Sequence, residues 1–257
     1  MKFNKFSTFS IVWVLFISLF MTACTKDKGG VTPNALRKVD KVTATDGTDN
    51  QYTYDATGRR IRLDRKKDTS SVTYKYVGST VIATTTYANP NKSNPEFTYT
   101  INTKGLATTR TYISGTTSYL DEYKYDANGF LLTIFTQYKA NTSSSFASYS
   151  EQAYTYDSDG NLLSLTYHYL TSSTSDFNFK YEYDKLHYNT TSTDFTGLEF
   201  IGKSSPHAVS KIIYTSPNGV QITNNTWKYD SKGYNISNAS VVTGTTTTTT
   251  SSTFTYK

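Results

Sequence analysis

Three stretches of the chain, QYTYDATGRRIRL at residues 51–63, EYKYDANGFLLTI at 122–134 and AYTYDSDGNLLSL at 153–165, share one pattern, Tyr-x-Tyr-Asp-x-x-Gly followed by an aliphatic pair or an Arg-rich run. Aspartate at the first position of a tight turn accepts the amide of the third position, and glycine at the fourth takes the positive φ that side chains resist. The pattern therefore predicts a type I turn closed by a glycine bulge, a common hairpin connection. Looser copies obey the same rule at Asn102 to Gly105, Asp230 to Gly233 and Ser216 to Gly219, and Asp184 begins a copy that has His187 where the glycine would stand. A series running through Asp, Asn and Ser suits turn chemistry; general acid–base chemistry does not tolerate it.

Hairpins repeated at this density make the chain all-β. The 23 tyrosines, 14 phenylalanines and abundant threonines suit half-buried pleated strands, and only five prolines interrupt them. The turns at positions 55, 102, 126, 157, 184 and 230 are unevenly spaced. This argues against a propeller or solenoid. The expectation is an antiparallel up-and-down meander of many hairpins, closed as a barrel or left as a strongly curved sheet.

Continuing each turn into regular pairing sets Tyr54 opposite Arg60, Tyr52 opposite Arg62, Thr53 opposite Ile61, Lys124 opposite Leu132, Glu122 opposite Ile134 and Ala153 opposite Leu165. One face then carries tyrosines and the other aliphatics. Lys124, Glu122 and Lys228 interrupt the aliphatic face, so the expected barrel is soluble rather than membrane-spanning.

Residues 1–23 read as a sorting signal: Lys2 and Lys5, an apolar run from Ile11 to Met21, and small residues before Cys24, the only cysteine. This is the pattern of a bacterial lipoprotein, with Cys24 as the lipidated first residue. Residues 24–38 form a flexible tether, and residues 39–257 a single all-β domain. Thr25, in place of Asp, favours the outer membrane, and the sparse acidity after Cys24, only Asp27, leaves open which face the domain occupies. With Cys24 committed, no thiol remains for disulfides or thiolate metal sites.

The 26 basic and 20 acidic residues become 24 and 20 once Lys2 and Lys5 leave with the signal, too mild an excess for nucleic acid. Three histidines, His168, His187 and His207, form no zinc motif, and no nucleophile elbow or phosphate loop is present. His168 is expected as a solvated strand residue and the other two as surface loop residues. Asp157 to Asn161 looks faintly like a calcium loop without its closing glutamate. The chain is expected to be no enzyme, with no cofactor and no metal.

The repeated hairpins resemble the tyrosine-aspartate repeats of Rhs-type proteins and, more closely, a Bacteroidetes lipoprotein family of unknown function assigned a porin-like β fold. The resemblance covers most of residues 39–257, including Trp227 to Tyr234 and the ending Phe254 to Lys257. It implies a lipid-anchored β domain and carries over no catalytic residue.

The remaining candidate site is Tyr52, Tyr54, Arg60 and Arg62, where planar cations beside aromatic faces would suit an acidic glycan. The competing expectation is a periplasm-facing carrier or scaffold that holds an apolar molecule or an envelope protein inside the curved sheet against Leu132, Ile134, Leu163 and Leu165. In either case the membrane is met through the lipid on Cys24.

Overall fold

The computed structural model describes residues 38–171, 176–189, 198–244 and 246–256. The sorting signal, Cys24 and the tether up to residue 37 lie outside them. The strands are β1 (Val39–Ala44), β2 (Asp49–Tyr54), β3 (Arg60–Arg65), β4 (Ser70–Val77), β5 (Thr80–Tyr87), β6 (Glu96–Ile101), β7 (Ala107–Ser114) and β8 (Thr117–Tyr125). The second half of the chain adds β9 (Leu131–Ala140), β10 (Ala147–Tyr156), β11 (Leu162–Tyr169), β12 (Phe177–Tyr188), β13 (His207–Ser216), β14 (Gly219–Tyr229), β15 (Asn235–Thr243) and β16 (Thr247–Tyr256). Each pairs antiparallel with its sequence neighbour, and β1 pairs with β16, Val39 opposite Tyr256, so the sheet closes into a barrel of sixteen strands. Of the two architectures open to the sequence, closure is the one adopted; it leaves no free sheet edge.

The Asp-x-x-Gly turns form as expected. Asp55 Oδ1 accepts the amides of Thr57 and Arg59, Asp157 Oδ1 those of Asp159 and Asn161, and Asp230 Oδ1 those of Lys232 and Tyr234. Asn102 does the same for Lys104 and Leu106. Gly58, Gly105, Gly129, Gly160 and Gly233 all have φ between +78° and +88°. The copy at Asp184 makes no turn. Asp184 Oδ1 still accepts the amide of Leu186 at 3.1 Å, but without a glycine to take positive φ β12 runs on to Tyr188, and Asp184 Oδ2 lies 2.7 Å from Nδ1 of His187.

Beyond each turn the register departs from the regular pairing. Tyr54 does face Arg60, but Thr53 then faces Arg62 and Tyr52 faces Leu63, leaving Ile61 as an extra residue. The same shift makes Leu132 extra between Leu131 and Thr133, and Leu163 extra between Leu162 and Ser164. Lys124 thus pairs with Thr133, Glu122 with Phe135 and Ala153 with Thr166. A one-residue slip exchanges the two faces of a strand. The expected separation of a tyrosine face from an aliphatic face is therefore overturned: Leu63, Leu131, Ile134 and Leu162 are buried together with Tyr74, Tyr99, Tyr123 and Tyr154 in one core inside the barrel. Leu132, Leu163 and Ile236 are turned outward and exposed.

The outer wall otherwise presents residues such as Thr73, Lys75, Glu122, Lys124, Lys180 and Lys228, all exposed. Charges and hydroxyls occupy the positions where a spanning barrel has its apolar band.

In an up-and-down barrel alternate connections lie at opposite ends. The Asp-x-x-Gly turns, the start of β1 and the end of β16 share one end, and the connections such as 115–116 and 141–146 share the other. At the turn end, residues 198–205, between β12 and β13, fold into the lumen: Leu198, Phe200, Ile201 and Ser205 are buried, and Glu199–Ile201 form a one-turn 3-10 helix. The Phe200 ring lies 5.0 Å from that of Tyr99 and 6.4 Å from that of Tyr76, and Ser205 Oγ accepts the amide of Leu162. A sixteen-strand barrel is wide enough for an aqueous channel. Here this segment and the tyrosines fill its turn end.

Candidate functional site

The structure separates the four residues that the sequence grouped. Tyr52, Tyr54 and Arg60 point into the lumen. The Arg60 guanidinium lies 4.7 Å from the centre of the Tyr52 ring, and Tyr54 donates its hydroxyl to the carbonyl of Val39 at 2.8 Å. Burial raises the Tyr54 pKa, against the charge of Arg60 beside it. Arg62 points to the outer face, where its Nε and one terminal nitrogen clasp the carboxylate of Asp64 at 2.7–2.9 Å. Tyr52 and Arg62 never meet, because the bulge at Ile61 puts them on opposite faces.

Five tyrosines near strand ends at the turn end have a role that the sequence reading missed, one that Tyr125, buried before the Asp126 turn without a hydrogen-bond partner, does not share. Tyr54, Tyr76, Tyr156, Tyr183 and Tyr256 donate to the carbonyls of Val39, Arg60, Leu131, Leu162 and Asn235, each on the preceding strand near its first residue. The bulge interrupts the ladder there, and the phenol satisfies a carbonyl that would otherwise be buried without a partner. The place of tyrosine one residue before Asp55, Asp157 and Asp184 marked three of the five; Tyr76 and Tyr256 stand outside the motif.

Asp121, wholly buried, lies in the middle of the lumen wall. Arg110 Nε donates to its Oδ2 at 2.6 Å, and Thr136 donates to Oδ1 at 2.8 Å. The guanidinium sits over the rings of Tyr112 and Phe97, 5.0 and 5.4 Å from their centres. Asp121 and Glu122 face opposite ways, buried and exposed respectively, and share no site.

Toward the other end, the lumen wall becomes aromatic. Phe97, Tyr112, Tyr119, Tyr138, Tyr149, Tyr167, Tyr169, Phe177, Phe179 and Tyr214 all stand within three positions of a strand end there, on the eight consecutive strands β6 to β13. Each is half-buried. Their rings touch in sequence: Tyr112 stacks on Tyr119 at 4.8 Å, Tyr119 and Tyr169 meet Tyr149 edge-on at 6.1 and 5.8 Å, and Tyr167 stacks on Phe177 at 4.7 Å. Tyr149 joins the row because a bulge between Ser148 and Ser150 turns it inward. Burial, followed by the nearby Asp121 charge, pushes the Tyr112 pKa up to about 12.

Between the filled turn end and the aromatic row, inward residues of β11 to β16 and β1 line a cavity of 390 Å³. Val42, Leu162, Tyr181, Ile212, Trp227 and Phe254 supply most of its lining, with Asn225, Asn238 and Ser252 as its polar groups. The amides are held by a relay in which Asn238 donates to Ser240, Ser240 donates to Asn225, and Asn225 and Trp227 both donate to the carbonyl of Val209. Of the residues expected to hold an apolar ligand, Ile134 is in the core and Leu165 packs against it, but Leu132 and Leu163 face outward.

His168 is on the outer face of β11 beside Asp176, as expected of a solvated strand residue. His187 and His207 are on strands instead of in surface loops: His187 stacks on Tyr229 at 3.9 Å, and His207 bonds Asn161. Among the described residues no cluster of three or more metal-ligating side chains occurs.

A closed antiparallel barrel with this strand order is the fold of porin-like proteins. The crystal structure of a porin-like protein from Bacteroides uniformis matches with a TM-score of 0.63 at 16% identity, covering 88% of this chain and 100% of that one. A porin-like protein from Bacteroides vulgatus matches with a TM-score of 0.60 at 17% identity, covering 86% of this chain and 99% of that one. No protein-family model and no curated protein matches the chain.

Proposed function

We propose that this protein is a non-catalytic binding barrel of the bacterial outer membrane, anchored through lipidated Cys24, that takes a small ligand with an apolar body into its lumen. The cavity between β11 and β16 carries this reading: its volume is in the range of small-molecule sites, and aromatic and aliphatic walls with a few fixed polar groups are the usual composition of such sites. An acidic glycan on an outward tyrosine–arginine face finds less support, since Tyr52, Tyr54 and Arg60 point inward and Arg62 is engaged by Asp64. The porin-like fold agrees with an envelope location. Both ends of the described chain lie at the filled end of the barrel, opposite the aromatic rim.

The test is titration of the mature protein with N-phenyl-1-naphthylamine, an apolar amine that fluoresces on leaving water. Saturable enhancement is expected, and Ile212→Trp, which places an indole in the cavity, should abolish it with the β circular dichroism unchanged. No enhancement in the wild type, or full enhancement in the variant, would remove the lumen as the site.

A further inference from the structure

The aromatic rim is separate from the cavity, and its chemistry selects a different kind of ligand. Seven of its ten rings are phenols, and the ten form one continuous half-circle on β6 to β13. Core packing alone would favour full burial of rings this large; these remain half-buried at the end of the lumen that the segment Leu198–Ser205 does not fill. The cation beside the row is neutralised: Arg110 is held by Asp121. Across the lumen, β14, β16 and β2 present hydroxyls and an amide at inward positions outside the cavity lining, among them Thr223, Thr250 and Asn50. A wall of uncharged rings facing a wall of hydroxyls and an amide matches a ligand with flat C–H faces on one side and hydroxyls along the other.

We propose that the rim formed by Tyr112, Tyr119, Tyr149, Tyr167, Tyr169 and Phe177 is a binding site for neutral linear oligosaccharides, whose pyranose rings stack along the aromatic row. The proposal rests on the reading of the barrel as a lumenal binder, but uses the rim where that reading uses the cavity. Stacking faces supply the attraction, so binding is insensitive to salt, in contrast to capture of an acidic glycan by exposed cations. Tyr149 is the hub of the row, in edge contact with Tyr119, Tyr138 and Tyr169.

The experiment is calorimetric titration of the mature protein with maltohexaose, cellohexaose and mannohexaose, at low and high salt, with hexagalacturonate as the acidic comparison. At least one neutral hexasaccharide is expected to bind with the same affinity at both salt levels. Tyr149→Ala should weaken it about tenfold, the factor that about 1.4 kcal/mol represents, whereas Tyr149→Phe, which keeps the ring, should bind as the wild type does. If Tyr149→Ala fails to fold, Tyr169→Ala, at the last position of β11, serves in its place, and the tyrosine bands of the near-ultraviolet circular dichroism of the wild type should change on adding sugar. Binding of N-phenyl-1-naphthylamine with no binding of any neutral hexasaccharide overturns the rim proposal and leaves the lumenal reading standing. Binding of hexagalacturonate alone, lost at high salt, also overturns the rim proposal. Absence of both sugar and amine binding overturns both, and sugar affinity unchanged in the alanine variants places the sugar elsewhere.

Discussion

Arg110 on β7 and Asp121 on β8 face each other directly across the ladder, with Nε 2.6 Å from Oδ2 and the carboxylate wholly buried. Removing one member of a buried pair strands the other charge, at a cost of about 3–5 kcal/mol. Asp121→Ala is therefore expected to destabilise the barrel by about that much in urea unfolding. The double variant Arg110→Leu, Asp121→Leu should recover most of the loss, because neither charge is then left buried.

Gly105 and Gly160 have the same turn conformation, φ +78° and +85°, but different surroundings. A Cβ on Gly105 meets nothing within 4 Å, and one on Gly160 would lie 2.5 Å from Cζ of Phe130. Gly105→Ala is expected to cost about 1 kcal/mol, from backbone strain alone. Gly160→Ala should cost more, because the Phe130 ring must also move; equal losses in thermal unfolding would contradict this account.

Asp126 Oδ1 accepts the amide of Phe130 at 2.8 Å, the bond that Asn102 makes to Leu106 in its own turn. Asp126→Asn should therefore change stability by less than about 0.5 kcal/mol, and Asp126→Ala should cost about 1 kcal/mol through loss of the acceptor. Denaturant midpoints of the two variants give the comparison. An Asp126→Asn loss as large as that of alanine would mean that the charge, and not the acceptor geometry, holds the turn.

Burial pushes the pKa of Tyr76 and of Tyr112 up to about 12, from an ordinary value of 10.0. A phenol with a raised folded pKa contributes its full stability below the unfolded value and loses it as pH rises toward the folded one. The melting temperature should thus be insensitive to these two groups below pH 10 and should fall between pH 10 and 12. Tyr112→Phe should reduce the slope in that window and leave neutral-pH behaviour nearly unchanged.

The small residues before Cys24 and its place after the apolar run are the grounds on which lipidation there is proposed. Mass spectrometry of the mature protein is expected to find a diacylglyceryl cysteine at the N-terminus with nothing before it. Cys24→Ala should accumulate as the larger unprocessed precursor. Normal processing of that variant would remove the anchor.

The hairpins were legible because their instructions are local. Asp55, Asp126, Asp157 and Asp230 with their glycines settle a turn within five residues, by hydrogen bonds and backbone freedom that hold in any context. The same reasoning failed at Asp184, where the glycine is missing and β12 runs on to Tyr188, ahead of residues 198–205 that fill the turn end. The candidate site was less legible: Tyr54 and Arg60 were paired correctly, but Arg62 was put on the wrong face by one residue.

The sequence by itself determined an all-β chain of antiparallel hairpins and the positions of the tight turns, since propensity and turn chemistry act over a few neighbouring residues. Only the tertiary structure decided that the sheet closes between Val39 and Tyr256, and that Leu131 and Ile134 point inward with the tyrosines while Leu132 points out. The same holds for the row of rings from eight strands that gathers at one end. Those outcomes depend on bulges and on contacts between residues distant in sequence. A bulge adds one residue on one strand and reverses every face beyond it, and which face is then buried is set by what the rest of the barrel brings to meet it.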